Sequence, residues 1–321
     1  MTEFKSKLSK YMIGSLEEKR ANGYNYKREE SSMKQLDEFL INNNLDNGTL
    51  TREIMLEYSK RRSNESNNAR IERVRRTNSL PKYMLSLGLD AYVSYNLGRP
   101  DKTIPYLPTK EELVLFFTTV DTYKAIIERA KYFKFEYPII FRFYYCCGLR
   151  CSEAALLEKN NVDLINGIIT IINSKNKSRI VYLAEDFRLL CIKYNEKVSL
   201  LVPNRKYFFP GLKSNNHISS GGLEERFRLF WSVSNPNHTG KVPTIHALRH
   251  CFLTDKINEF ENDETVDINA MLPYLSKYVG HSTIQETYYY FHSLANRSPR
   301  VRNFVNANNE EIPEVIKYED E

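Results

Sequence analysis

The segment GHSTIQETYYY, residues 280–290, lies where one helical stretch, DINAMLPYLSKYVG (267–280), gives way to another, TIQETYYYFHSL (283–294). His281, directly after a glycine, could simply cap the second helix, and three adjacent tyrosines are more often half-buried aromatics than reactive groups. Upstream, HALRH (246–250) opens a helix and puts His246 and Arg249 three apart, on one face. SKNKSR (174–179) separates two short β-branched runs, GIITIIN and RIVYL, and reads as the basic tip of a hairpin carrying Lys175 and Lys177. GLRCSE (148–153) puts Arg150 just before a helix. Taken singly, each has an ordinary explanation: a turn-tying arginine, solvated lysines, a surface ion pair.

Around these segments the chain reads as helices with one small sheet. LSKYMIGSLEEKRANG, MKQLDEFLINNNL, TREIMLEYSKRR and ARIERVRRTNSLPKYMLSLG have helical apolar spacing, broken by Asn- and Gly-rich loops, and Pro81 is expected to interrupt the last. GRPDKTIPYLP (98–108) disfavours regular structure and marks a linker. Thr109 with Glu112 forms a capping box that opens the next helix, ELVLFFTTV. TYKAIIERAKYF, PIIFRFYYCCG, AEDFRLLCIKYNEKV, LEERFRLFWSV and IHALRHCFLTDKINEF are further expected helices. The expected organisation is a helical domain at 1–97, the linker at 98–108, a mainly α domain with a small antiparallel sheet at 109–296, and a polar tail at 297–321.

Composition narrows the class. The 321 residues are 41% hydrophobic and 27% charged, typical of a soluble globular protein. No run is long and apolar enough for a membrane span and no secretory core follows the N-terminus, so a cytoplasmic location is expected. The five cysteines lack paired C-x-x-C spacing and read as reduced core thiols rather than a zinc site. The formal net charge is +6, and the segment from Lys60 to Lys82 carries that excess alone: Lys60, Arg61, Arg62, Arg70, Arg73, Arg75, Arg76 and Lys82 stand against Glu65 and Glu72. Such a stripe is the footprint of a phosphate-backbone binder, though a solvated helix face has the same composition.

Together and in this order, the four chemistry-bearing segments resemble the signature of the tyrosine recombinases, the family of lambda-type integrases and Xer-type recombinases. The stretch KYMIGSLEEKRANGYNYKREE is similar to the DNA-gripping domain that precedes it in one branch, and LPYLSKYVGH is similar to recombinases of mobile elements. The resemblance implies a two-domain clamp on double-stranded DNA. Its implied catalytic set is Arg150, Lys175, His246, Arg249, His281 and Tyr290, with Lys177 the alternative to Lys175 and otherwise a DNA contact. Tyr290 is chosen from its neighbours by the nine-residue spacing from His281, and Glu153 is implied to hold a basic side chain in place. A homotetramer on two DNA sites is implied, accessory recombinases are among the partners it allows, and the tail is implied to dock on a neighbouring protomer.

The residue types suit that chemistry. Phosphodiester exchange loads negative charge on non-bridging oxygens, and arginine meets it with a permanently charged planar fork. A tyrosine nucleophile stores the bond energy in a phosphotyrosine, a lysine can protonate the leaving 5′-oxygen, and histidines can move or donate protons. No Asp-x-Asp set for magnesium and no phosphate-binding glycine loop with its lysine is present, so no metal or cofactor is expected. Two other readings fit less of the sequence: a type IB topoisomerase, which shares the chemistry, and a catalytically silent DNA-binding regulator.

Overall fold

The computed structural model describes residues 3–101, 105–124, 131–172, 178–212 and 216–295. The chain forms two compact units, Met1–Ile104 and Pro105–Glu321.

The first unit holds α1 (Ser9–Ala21), α2 (Lys27–Asn42), α3 (Arg52–Tyr58), α4 (Asn67–Thr77) and α5 (Ser79–Ser86). Their apolar residues recur at three and four positions, so Met12, Leu16, Met33, Leu36, Leu40, Ile54, Met55, Val74, Leu80 and Met84 fall on inward faces and form one core. Thr51 and Ser66 cap α3 and α4 through their hydroxyls. The break between α4 and α5 falls at Asn78, whose side chain exchanges two hydrogen bonds with the Ser94 backbone, of 2.8 and 3.1 Å. Pro81 therefore does not interrupt a helix; it lies in the first turn of α5, where its missing N–H leaves no helical bond unmade.

The proline-rich segment is tied down at both ends. Asp101 accepts from the Asn67 side chain at 3.0 Å and donates its backbone N–H to Asn68 at 2.6 Å, within the first unit. Tyr106 donates to Glu112, at 2.7 Å to the nearer oxygen, within the second. Glu112 also completes the capping box with Thr109 at the start of α6 (Lys110–Asp121).

The second unit continues with α7 (Phe133–Cys147), α8 (Cys151–Ala155), β1 (Val162–Asp163), β2 (Ile168–Ile172), β3 (Ser178–Tyr182), α9 (Glu185–Leu201), α10 (Ser220–Ser234), α11 (His246–Asn262), α12 (Ile268–Val279) and α13 (Gln285–Ala295). Half of the stretch expected as a helix at 122–133, residues 125–130, lies outside the described residues. The strands form an antiparallel sheet in the order β1-β2-β3, with Ile169 opposite Val181 and Ile171 opposite Arg179. This is the mainly helical fold with a small antiparallel sheet. An aromatic core joins α6, α7 and α10: Phe116 lies 5.5 Å from Phe141 and 5.0 Å from Phe227, ring centre to ring centre. A smaller cluster of Phe252, Leu253, Ile257, Leu272, Leu275, Val279 and Tyr290 joins α11, α12 and α13. That second cluster fixes the orientation of the helix bearing the three tyrosines.

Candidate active site

Two glycine-terminated helices bring the arginines together. α7 ends at Gly148 (φ 62°) and α12 at Gly280 (φ 70°), both in the left-handed conformation that closes a helix C-terminus at low cost for glycine. A Cβ at Gly148 would lie 2.4 Å from the Phe252 ring. The chain then reverses into α8, with Arg150 at its N-cap and the Arg150 N–H donating to Glu153 Oε2 at 2.8 Å.

Arg249, in the first turn of α11, is 1% exposed. Its Nη1 donates to the Gly148 carbonyl at 2.5 Å and its Nη2 to the Val279 carbonyl at 2.9 Å. Both acceptors are helix C-terminal carbonyls, where a cation is favoured. Burial and the neighbouring Arg150 charge push the Arg249 guanidinium down to about 10, so it stays charged at neutral pH. Arg150 is one-third exposed; its Nη1 donates to Glu153 Oε1 at 2.9 Å and its Nη2 to the Gly280 carbonyl.

Glu153 binds a second cation. Arg179 on β3 grips both of its oxygens at 2.7 Å and donates Nε to the Tyr278 carbonyl at 2.7 Å. Burial alone would raise the Glu153 carboxyl; the bonds and charge of Arg179, followed by Arg150, outweigh it and hold the carboxyl below its usual range.

Tyr290, 8% exposed, shares a cleft of about 360 Å³ with Arg150, His246, Arg249, His250, His281, Glu286 and Tyr289. Its ring lies near those of both His281 and His250, and the His250 ring meets that of His246 at 4.6 Å. Burial raises the phenol to about 12, although the charge of Arg249 works in the opposite direction. All three imidazoles are pushed down, first by desolvation and then by neighbouring cationic or imidazole groups: His246 and His281 to about 4, His250 to about 3. His246 is exposed at the rim, and the charges of Arg249 and Arg150 act on it there. His281 Nδ1 lies 2.8 Å from Thr287 Oγ1.

The structure thus brings Arg150, His246, Arg249, His281 and Tyr290 to one cleft, with Glu153 behind Arg150. Lys175 and Lys177 lie outside the described residues. In the first unit, Lys60, Arg61, Arg62 and Arg75 are exposed and Arg76 is half-buried. Arg73 does not belong to that surface. It is 5% exposed, bonded to Glu65 at 2.6 and 2.7 Å and to the Tyr58 carbonyl at 2.6 Å. Arg70 is a half-buried brace donating to the carbonyls of Ser59 and Leu97. A helical stripe in sequence wraps around the helix in space, so part of it faces the core.

Three site residues escaped the sequence reading although signals for them existed. His250 follows His246 by one helical turn. Arg179 shares a strand face with buried Val181. Thr287 precedes Tyr290 by three positions on α13.

The sequence pattern of the phage integrase family matches residues 117–297. The putative integrase/recombinase y4rE of Sinorhizobium fredii is 29% identical over 149 residues, 44% of this chain and 46% of the relative. The tyrosine recombinase XerC of Chlorobaculum parvum is 26% identical over 217 residues, 62% of this chain and 60% of the relative. The chain thus spans about half to three-fifths of the curated relatives it matches. Among solved structures, the Tn1549 transposon integrase in complex with transposon right end DNA aligns with a TM-score of 0.60 at 16% identity, covering 87% of this chain and 94% of that one. That likeness concerns the fold.

Proposed function

The chain belongs to the phage integrase family, and from that premise we propose that it is a site-specific DNA recombinase that cuts and rejoins strands through a 3′-phosphotyrosine on Tyr290. The observation that carries this reading is the shared cleft, in which a buried phenol, two guanidinium groups and three histidines converge.

In this reading the scissile phosphate sits between Arg150 and Arg249, whose charges stabilise the extra negative charge of the five-coordinate phosphorus. The Tyr290 oxygen attacks, a phosphotyrosine bond forms and the bond to the 5′-oxygen breaks. Lys175, or Lys177 in its place, gives that oxygen its proton. His246 assists removal of the phenolic proton, and His281 donates to a non-bridging oxygen. The ester conserves the bond energy, so rejoining by a 5′-hydroxyl needs neither ATP nor a metal. Cations of the first unit, the exposed Lys60, Arg61, Arg62 and Arg75 and the half-buried Arg76, supply backbone affinity that falls steeply with salt. The biological setting we propose is the movement of a mobile element, by a tetramer on two DNA sites. The likeness to a transposon integrase and the LPYLSKYVGH segment support the mobile-element part; the tetramer rests on family resemblance.

The test is covalent capture. Nicked duplexes of random sequence are incubated with the protein, and DNA that stays attached under denaturing conditions is sequenced and reselected. A convergent site with wild type and no adduct with Tyr290→Phe is the expected result. Adducts that survive Tyr290→Phe, or none from wild type, would overturn the reading. Adducts on duplexes of every sequence, with relaxation of any supercoiled plasmid, would instead indicate a topoisomerase.

A further inference from the structure

α13 brings a second chemical group to the cleft besides Tyr290. Thr287 is fully buried and its Oγ1 lies 2.8 Å from His281 Nδ1. Helical threonines usually return their hydroxyl proton to a carbonyl one turn back. Thr77, Thr118, Thr119 and Thr122 of this chain do so. Thr287 does not: among the described residues, its hydroxyl has only the imidazole as partner. The His281 backbone is anchored as well, its amide N–H donating to the Ser276 carbonyl at 3.0 Å.

A neutral imidazole has one N–H and one bare nitrogen, and the partner at one nitrogen decides the state of the other. A hydroxyl proton with no other acceptor goes to Nδ1. Nε2 then carries the imidazole proton, and the ring presents a donor to the cleft it shares with Arg150, Arg249 and Tyr290. The opposite tautomer would present a lone pair, which repels a phosphate oxygen.

We propose that Thr287 is a positioning residue that fixes His281 as its Nε2–H tautomer and thereby makes it a donor to the scissile phosphate. The part concerning phosphate rests on the recombinase reading above. Thr287 and Tyr290 lie three residues apart on one helix, so a single event, the seating of α13, delivers the nucleophile and sets the donor. With α13 unseated, His281 loses the partner that selects its tautomer, and the phosphate site is incomplete until the tyrosine is in place.

The full chain, labelled with nitrogen-15 in histidine, gives the direct test near pH 7.5 without DNA. The His281 signals are assigned by their loss in His281→Gln. Expected are an acceptor-type Nδ1 and a protonated Nε2 in wild type and in Thr287→Ser, and a shift toward the Nδ1–H form in Thr287→Val. A wild-type His281 in the Nδ1–H form overturns the proposal without need of any variant, as does a Thr287→Val spectrum identical to wild type. On DNA recovered by covalent capture, Thr287→Val should form adduct about tenfold to a hundredfold more slowly, up to the loss of one oxyanion donor, while Thr287→Ser stays close to wild type. An altered tautomer with an unchanged adduct rate would refute the catalytic role. Should wild type capture no DNA at all, the recombinase reading fails and the nitrogen spectra alone still decide the tautomer.

Discussion

The ring of Tyr290 lies parallel to the imidazole of His281, with centres 6.0 Å apart and planes 10° apart. The His250 ring is 5.2 Å away at 40°. A buried phenol is costly to ionise, and burial raises this one to about 12 against the opposing charge of Arg249. At neutral pH it holds its proton, which must be lost during attack. With a 5′-bridging phosphorothiolate, whose sulfur leaves without protonation, the adduct rate should stay nearly flat between about pH 6 and pH 9, because His246, pushed down to about 4, is already unprotonated and able to take the phenolic proton. A rise of roughly tenfold per pH unit would show instead that the phenol ionises to solvent before attack, without help from His246.

Acid should loosen the second unit through its histidines. His250 and His281 are pushed down to about 3 and 4, so the unfolded chain takes up protons first, near its ordinary value of 6.5. Stability is therefore fully present above pH 6.5 and is lost as the pH falls toward 4. The two partly buried rings together should account for a loss on the order of 2 kcal/mol. Urea denaturation of wild type and of His250→Gln across that range checks this; the variant should show a shallower decline.

Gly280 faces two guanidinium groups. An added Cβ would lie 2.9 Å from Arg179 Nη1 and 3.2 Å from Arg150 Nη1, on a backbone with φ of 70°. Gly280→Ala should cost about 1–2 kcal/mol of stability from the left-handed backbone. It should also lower the adduct rate more than the lost stability explains, because Arg179 must shift and Arg150 must give way by a few tenths of an ångström. Denaturation and single-turnover capture, measured side by side, separate the two effects.

Glu153 is the shared counter-ion of Arg150 and Arg179, with the Glu153 and Arg179 side chains 7% and 8% exposed. Glu153→Gln would leave two cations side by side with no neutralising charge. Removing one member of a buried pair costs about 3–5 kcal/mol, and a loss at the lower end is expected because Arg150 is partly solvated. Thermal and urea unfolding should both register it; a change under about 1 kcal/mol would mean that solvent screens the pair.

Helix existence was legible wherever apolar spacing met a stop or a cap, as at Thr109, Gly148 and Gly280. The site was legible as an ordered set of residue types whose members lie more than a hundred positions apart. What hid the rest was orientation. Arg73 and Arg75 are neighbours in one basic run, yet one is a core brace and the other is exposed. The helix break at Asn78 depends on a side-chain bond to Ser94, a non-local pairing with no local signature. Thr287 and His281 are six residues apart across a helix start, a spacing that no periodic pattern favours.

The two carbonyls that hold Arg249 have a practical consequence for inactive variants. One closes α7 and the other closes α12, so this guanidinium is a rivet between two helix ends as well as a candidate for the phosphate clamp. Truncating it would strip both carbonyls of their donor and spring the joint from which Arg150 and His281 are hung. A null result from such a variant would mingle collapse with chemistry, whereas loss of the single oxygen of Tyr290 leaves the joinery intact and makes the cleaner blank.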